Sequence, residues 1–148
     1  MIYKYSDTPR IFYSHCQLIY NKRAEMEETY FLISHFWNWQ FICPNFDIGE
    51  SNDFQDYLQA VAESDKIVFS EYKNAVSKGV YGECSFALSR NIPVFVLRKN
   101  IKGKFYMKEV IGFNLHPTPK AYNYATAILK KPNLKKVVDF NIIIQKMN

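Results

Sequence analysis

Four short apolar runs, spread along the first hundred residues, constrain the fold more than any other feature of this sequence. They are rich in β-branched and aromatic residues, as buried strands are. The runs are residues 10–14, 39–43, 66–70 and 92–97. Between them, apolar residues recur at three- and four-residue spacing, which is typical of helices. The predicted helices span residues 21–37, 53–63 and 80–90. Asn21 and Asp53 are the expected N-caps of the first two, and residues 45–52 are expected to form a loop.

Strands that alternate with helices of about ten residues imply right-handed crossovers and a parallel sheet covered on both faces. We therefore expect a single α/β domain over residues 1–148. It should be a flavodoxin-like or Rossmann-like three-layer sandwich with a mainly parallel sheet of four to five strands. Ligands of such sheets bind beyond the carboxyl ends of the strands. Further along, residues 122–130 look helical, and residues 137–144 fit a strand as well as a helix.

Composition favours a cytoplasmic protein that does not contact membranes. No apolar stretch approaches the roughly 20 residues that cross a bilayer, and the N-terminal residues lack the apolar run of a signal peptide. Cys16, Cys43 and Cys84 are odd in number and have no CxxC spacing, which favours reduced thiols and predicts no metal site. No glycine motif typical of mononucleotide or dinucleotide cofactors follows a strand, so no cofactor is expected.

The net charge of +5 comes largely from basic residues after residue 97. A basic third of the chain attracts phosphate-bearing ligands or nucleic acid by simple electrostatics. Scattered surface lysine is the simpler explanation, because no run of five like charges is present. A nucleic-acid partner is therefore not expected.

The densest group of candidate site residues lies just before and inside the third predicted helix. Ser77, Gly79, Gly82 and Glu83 occur within seven residues there. Glycine lets a ligand approach the backbone, and free N–H groups at a helix start suit a phosphate. Glu83 is a candidate catalytic carboxylate, although the helix dipole alone also favours an acid near a helix start.

Further candidates follow the ends of the first two strands, on the expected ligand side. Ser14 and His15 come directly after the first strand, and Asn45 follows the second. His15 suits hydrogen bonding to a phosphate or a base, while a packed or solvated histidine is the alternative. Tyr13 can orient a carboxylate through its hydroxyl, and a half-buried aromatic residue is the equally good alternative.

The arrangement of several of these residues resembles the superfamily of nucleoside 2-deoxyribosyltransferases and nucleotide N-glycosidases. The resemblance covers residues 10–97, about two-thirds of the chain. Its residues are Ile11 to Ser14 in the first strand, Phe41 to Pro44 in the second, and Asp65, Ser77, Gly79, Glu83, Ala87, Pro93 and Val94. The family often has a small residue after the first strand, where this chain has His15 and Cys16.

That resemblance implies a function and a set of roles. Glu83 would be the nucleophile that attacks the anomeric carbon of a nucleoside or nucleoside 5′-monophosphate. Ser77 would help to hold a 5′-phosphate, and Asp53 or Asp56 would assist the departing base. The outcome is hydrolysis of the N-glycosidic bond or transfer of the 2-deoxyribosyl group. The resemblance also implies a homodimer with shared sites.

A second resemblance leads to the same carboxylate. The residues around Tyr13 and His15, together with the distance from Glu71 to Glu83, are similar to those of a TIR domain that cleaves the nicotinamide N-glycosidic bond of NAD. The Trp-Cys pair that precedes the catalytic Glu of that family is absent. A third alternative is a non-catalytic nucleotide sensor or interaction module on the same fold.

Overall fold

The computed structural model describes residues 8–49, 53–117 and 125–137. Its helices are α1 (Arg23–His35), α2 (Pro44–Asp47), α3 (Phe54–Ala62) and α4 (Lys78–Ser89). Its strands are β1 (Arg10–Ser14), β2 (Gln40–Ile42), β3 (Lys66–Ser70), β4 (Val94–Lys99), β5 (Phe105–Val110), β6 (Asn114–Leu115), β7 (Ala127–Ile128) and β8 (Leu134–Val137). The predicted order of four strands and three helices is confirmed, as is Asp53 as the N-cap of α3.

The central sheet has the strand order β2-β1-β3-β4-β5-β8. The first four of these strands pair in parallel, and β5 and β8 extend the sheet in antiparallel fashion. The prediction of a mainly parallel α/β sheet is confirmed, with six strands instead of four to five. Strand β5 needs no crossover helix, because a turn closed by the Asn100 side chain connects it to β4. Gly103 supplies the positive φ of that turn.

Helices cover both faces of the sheet, so the fold has three layers. Along β1 the side chains alternate between the faces, as strand geometry requires. Ile11 and Tyr13 pack in the cluster that contains Leu32 of α1. Phe12 packs in the cluster that contains Val61 of α3, together with apolar side chains of α4. The α1 face and the α3/α4 face are therefore distinct surfaces.

The direction of the chain across the sheet reverses at β1. From β1 the chain moves outwards to β2 and then returns past β1 to β3. In doubly wound sheets a crevice forms at this reversal, beyond the carboxyl ends of the strands. Ser14, the last residue of β1, lies at the carboxyl end of the strand where this crevice forms.

Two predictions in the first half of the chain were wrong in detail. Lys22, and not Asn21, is the N-cap of α1. Asn21 has a φ of 62°, a left-handed conformation that Asn tolerates, and its N–H donates to Glu25. The predicted loop after β2 begins with the single helical turn α2, because Pro44 suits the first position of a helix.

The C-terminal predictions hold only in part. Residues 127 and 128 form β7, which pairs with β6, so the helix predicted over residues 122–130 is wrong at these positions. Residues 122–124 lie outside the described residues. Of the segment 137–144, only residue 137 is described, as the end of β8.

Candidate functional site

A cleft of about 630 Å³ opens at the carboxyl end of β1, on the α3/α4 face. It lies between the segment that follows β1 and the N-terminal turns of α3 and α4. The lining residues are His15, Cys16, Gln17, Tyr20, Phe54, Tyr57 and residues 77–83. A cleft of this volume is within the range of small-molecule sites, about 300–1,000 Å³.

Glu83 is the acidic residue in this lining. It belongs to the stripe of α4 that faces the sheet, in register with Val80, Cys84 and Ala87, all of which are buried. That helical spacing explains why a carboxylate is inside the protein with only 6% of its surface exposed. The hydroxyl of Ser14 donates a hydrogen bond of 2.6 Å to Glu83 Oε1.

Burial raises the pKa of Glu83 to about 7, and the Ser14 hydrogen bond opposes that shift. Within the described ranges of the chain, no cation forms an ion pair with Glu83. Near neutral pH the carboxyl group therefore exists in both protonation states. Such a group can act as an acid, as a base or, when ionised, as a nucleophile.

Ser14 was predicted to bind substrate, and the structure places it behind the carboxylate instead. It is fully buried and is not among the residues that line the cleft. Because it donates to the ionised form of Glu83, its contribution is to favour that form. Ser14 is a positioning residue for Glu83.

The other candidates from the third predicted helix are gathered at the cleft. Ser77, Gly79 and Gly82 all line it, beside Glu83. Ser77 is the N-cap of α4, and its side chain makes no capping hydrogen bond. A Cβ at residue 82 would lie 2.9 Å from the ring of Phe54, so glycine there lets α3 and α4 approach closely.

His15 lines the same cleft, but its ring is already held. Nε2 is 2.6 Å from a carboxylate oxygen of Glu25, and Nδ1 is 3.3 Å from the carbonyl oxygen of Tyr13. The ring also stacks on that of Tyr13, with centroids 3.9 Å apart. Burial lowers the pKa of His15 despite the neighbouring carboxylate. Both ring nitrogens face protein acceptors, so His15 shapes the cleft wall.

Asn45 supports this histidine from outside the cleft. Its side-chain amide donates to both carboxylate oxygens of Glu25, at 3.0 and 3.1 Å, and to the side chain of Asn21. It is not among the lining residues. Asn45 was predicted to contact substrate. In the structure it instead contacts Glu25, the residue that is hydrogen-bonded to His15.

One of the two sequence interpretations of Tyr13 was that its hydroxyl orients a carboxylate. In the structure it does so, but the carboxylate is Glu28 and not Glu83. Its side chain points to the α1 face, where its hydroxyl donates to Glu28. Burial and the charge of Glu28 raise the pKa of Tyr13, and burial raises that of Glu28. Glu28 and Ser70 line a second cleft, of about 600 Å³, on that face.

The two aspartates expected to assist the departing base lie away from the cleft. Asp53 caps α3 by accepting from the N–H of Gln55, and Asp56 is exposed one turn later. Neither lines the cleft, because the α3 side chains that reach it are Phe54 and Tyr57. The structure brings Glu83 no acidic partner from α3.

The sequence interpretation did not name the aromatic residues of the cleft, among them Tyr20 and Tyr57, as site residues. Tyr20 and Tyr57 both line it, and burial together with the charge of Glu83 raises the pKa of the Tyr20 hydroxyl. That hydroxyl stays protonated and is a hydrogen-bond donor near the carboxylate. Tyr57 carried a sequence signal, since it lies on the apolar face predicted for the helix. Tyr20 carried none.

One group of potential metal ligands occurs in the described ranges. His15, Glu25 and Cys43 each bring a ligand atom within 4.8 Å of the other two, and all three are buried. Their sequence spacing gave no signal of it, because they come from three different elements. The direct hydrogen bond between His15 and Glu25 joins two of the three.

The described part of the chain contains no helix that is long and apolar enough to span a membrane.

Comparisons with known proteins bear on the fold alone. No protein-family model matches the chain, and no curated protein does. Among solved structures, the chain is similar to the crystal structure of a conserved protein from Enterococcus faecalis V583. The TM-score is 0.53 at 16% sequence identity, over 66% of this chain and 67% of that one. The chain thus shares an α/β fold with a known structure.

Proposed function

We propose that this protein acts on the N-glycosidic bond of a nucleoside or nucleoside 5′-monophosphate, with Glu83 as the nucleophile. One observation carries the proposal: a buried carboxylate lines a ligand-sized cleft and is hydrogen-bonded by a neutral hydroxyl. A carboxylate engaged in a structural ion pair would be held by its cation, and Glu83 has no such partner among the described residues. The resemblance to nucleoside 2-deoxyribosyltransferases supports the same residue.

The chemistry requires the ionised form of Glu83. A carboxylate oxygen forms a bond to the anomeric carbon while the carbon–nitrogen bond breaks, and the bonding electron pair leaves with the base. The base then takes a proton from water. A second water, or an incoming base, then attacks the glycosyl ester and regenerates the carboxylate, and its proton goes to the hydroxide that the first water left behind. The Ser14 hydroxyl holds Oε1 in place, so the second oxygen is the attacking atom.

The residues that line the cleft support this substrate class. Aromatic rings of Tyr20, Phe54 and Tyr57 offer surfaces for a base. Ser77 and Lys78, at the N-terminus of α4, suit a 5′-phosphate, as the resemblance implies. We extend the proposal to a cytoplasmic location and to a homodimer, both of which derive from the sequence interpretation.

A second candidate, cleavage of NAD at its nicotinamide bond, is favoured by a specific observation. Among the described residues, no carboxylate other than Glu83 lines the cleft. Nicotinamide leaves NAD as a neutral base without being protonated, whereas the departing base of an ordinary nucleoside needs a proton. A cleft with one carboxylate therefore suits NAD. A non-catalytic nucleotide sensor does not need a second acid either, so it is also consistent with this lining.

Release of free base from a substrate panel tests these alternatives. The panel contains ribonucleosides, 2-deoxyribonucleosides, their 5′-monophosphates and NAD, and the product is separated by chromatography. We expect the wild-type protein to release base from one class and Glu83→Ala to release none. Binding measured by calorimetry without any release would support the sensor, and equal release by Glu83→Ala would exclude Glu83 as the nucleophile.

A further inference from the structure

Four large apolar side chains are exposed along the outer side of α1 and its C-terminal end. Met26, Tyr30, Ile33 and Trp37 have 67%, 77%, 47% and 80% of their surface exposed. The opposite side of the helix packs on the sheet through Leu32. A helix on the surface of a globular protein normally presents polar residues to solvent. We call these four residues the α1 stripe, and a contiguous apolar patch of this kind marks an interaction site.

The spacing of the α1 stripe is the same from either end. Its members are separated by four, three and four residues. When two copies of α1 lie antiparallel with the middles of their stripes aligned, Tyr30 therefore meets the partner's Ile33, and Met26 faces the turn that follows the partner's helix and contains Trp37. A two-fold interface requires this kind of self-complementarity. The arrangement also brings the Met26 thioether towards an indole ring, and contacts of that kind are favourable.

The charges of α1 favour the antiparallel arrangement over a parallel one. Its charged side chains all lie in the N-terminal half, from Arg23 to Glu28, and Lys22 precedes them. Parallel packing would bring Lys22 and Arg23 against the same cations of the second copy. Antiparallel packing instead brings them near the partner's Trp37 and the negative end of its helix dipole. Arg23 is already paired with Glu27 in its own helix, so Lys22 is the cation that chiefly favours the antiparallel arrangement.

The exposed area is adequate for a small dimer interface. Tyr and Trp side chains each bury roughly 150–250 Å² when covered, and a standard interface needs about 800 Å² from each partner. Leu18 and Phe46 are also exposed, beside the N-terminal turn of α1. Phe46 follows Asn45, which is hydrogen-bonded to Asn21 and Glu25 at that turn. Leu18 and Phe46 therefore lie near that end of α1, outside the α1 stripe.

We propose that the α1 stripe is the interface between two copies of this chain, with the two α1 helices antiparallel about a two-fold axis. The proposal gives a surface to a homodimer, but the two copies do not share the Glu83 cleft, in contrast to the shared sites that the resemblance implies. It rests on α1 and does not depend on the chemistry of Glu83. The interface lies on the α1 face of the sheet, and the Glu83 cleft opens on the other face, so the stripe leaves that cleft accessible.

Sedimentation equilibrium of the 148-residue chain, from micromolar to submillimolar concentration, tests the association. We expect a species of twice the 17.5 kDa monomer mass. Ile33→Lys and Tyr30→Lys each bury a charge in the proposed interface and should weaken association by at least about 100-fold. The matched control is Ile101→Lys, because Ile101 is fully exposed outside the stripe and its replacement should leave the dimer intact. Circular dichroism confirms that each variant is folded.

Disulfide trapping tests the antiparallel register. When the single variants Tyr30→Cys and Ile33→Cys are mixed and oxidised, the proposal predicts a mixed disulfide in preference to either symmetric one. A wild-type chain that stays monomeric over the whole concentration range would overturn the proposal. It would do so whether Trp37 fluorescence is quenched, as for an exposed residue, or is shielded by another part of the chain. Dimers that persist in both lysine variants would overturn it as well. Base release by Ile33→Lys is measured in parallel, so that failure of the dimer and failure of the Glu83 chemistry are distinguished.

Discussion

Ser14 at the end of β1 and Glu83 in α4 share a hydrogen bond of 2.6 Å, although 69 residues separate them in the sequence. Both residues are buried, and the bond links the carboxyl end of β1 to α4, the helix that covers it. Burial raises the proton affinity of Glu83, and the Ser14 hydroxyl opposes that rise. The protonation of Glu83 therefore reports on the site more directly than that of any other residue in the cleft.

Replacing Glu83 with Gln should stabilise the protein in a pH-dependent way. The folded pKa is about 7, above the ordinary value of 4.5, so the folded state binds the proton more tightly than the unfolded state. Wild-type stability from this group is full below about pH 4.5 and is lost as the pH rises to about 7. We expect Glu83→Gln to exceed wild type by about 3 kcal/mol at pH 8 and to match it at pH 4. Urea unfolding at the two pH values measures the difference, and a gain that is equal at both would show that burial does not perturb Glu83.

Removing the Ser14 hydroxyl should move the pH dependence of activity. Because the nucleophile must be ionised, base release should rise with pH through about 7 and level off above it. Ser14→Ala removes the hydrogen bond that favours the ionised form, so the midpoint should move upwards by about one pH unit. The measurement is kcat/KM against pH. A midpoint that stays in place would mean that Ser14 does not act on Glu83.

Two glycines of α4 form a matched pair for testing how closely α3 and α4 pack. An added Cβ at residue 82 meets the ring of Phe54 at 2.9 Å, whereas one at residue 79 has no neighbour within 4 Å. Alanine favours a helix over glycine, so Gly79→Ala should be neutral or stabilising. Gly82→Ala should be less stable than Gly79→Ala by about 1–2 kcal/mol, since the ring of Phe54 must shift. Thermal unfolding compares the two, and equal stability would show that the ring moves aside freely.

Tyr13 tests whether the two faces of the sheet act independently. Its hydroxyl donates to Glu28 on the α1 face, away from the Glu83 cleft. Tyr13→Phe leaves a half-buried carboxylate without that donor and should lower stability by about 1–3 kcal/mol. Base release per folded molecule should remain at the wild-type level. A variant that is stable but has lost activity would instead place Tyr13 in the catalytic site.

Those parts of the fold that depend on local pattern were predictable from sequence. The four apolar runs became β1 to β4, and Asp53 was identified as a cap because capping involves only residues two or three positions away. Glu83 was found in the same way, from glycines that precede it in one helix. Its burial also follows a local rule, the helical spacing it shares with Val80 and Cys84.

The remaining features depend on contacts between distant segments. Residue His15 meets Glu25 across the start of α1, and β5 and β8 pair with partners that no periodicity identifies. Asp53, in contrast, was expected at the site and does not lie there, because the side chain that caps α3 cannot also reach the cleft. That role came from the resemblance, and a resemblance in sequence does not fix which way a side chain faces.

The mass of the protein during turnover shows whether Glu83 forms a covalent bond to the sugar. Wild-type protein is acid-quenched while it consumes its substrate and is digested, and the peptide that contains Glu83 is weighed. A covalent glycosyl ester predicts that this peptide gains the mass of one sugar residue, or sugar phosphate, and that Glu83→Gln shows neither the adduct nor base release. Base release with every carboxylate unmodified, or undiminished release by Glu83→Gln, would exclude Glu83 as the nucleophile.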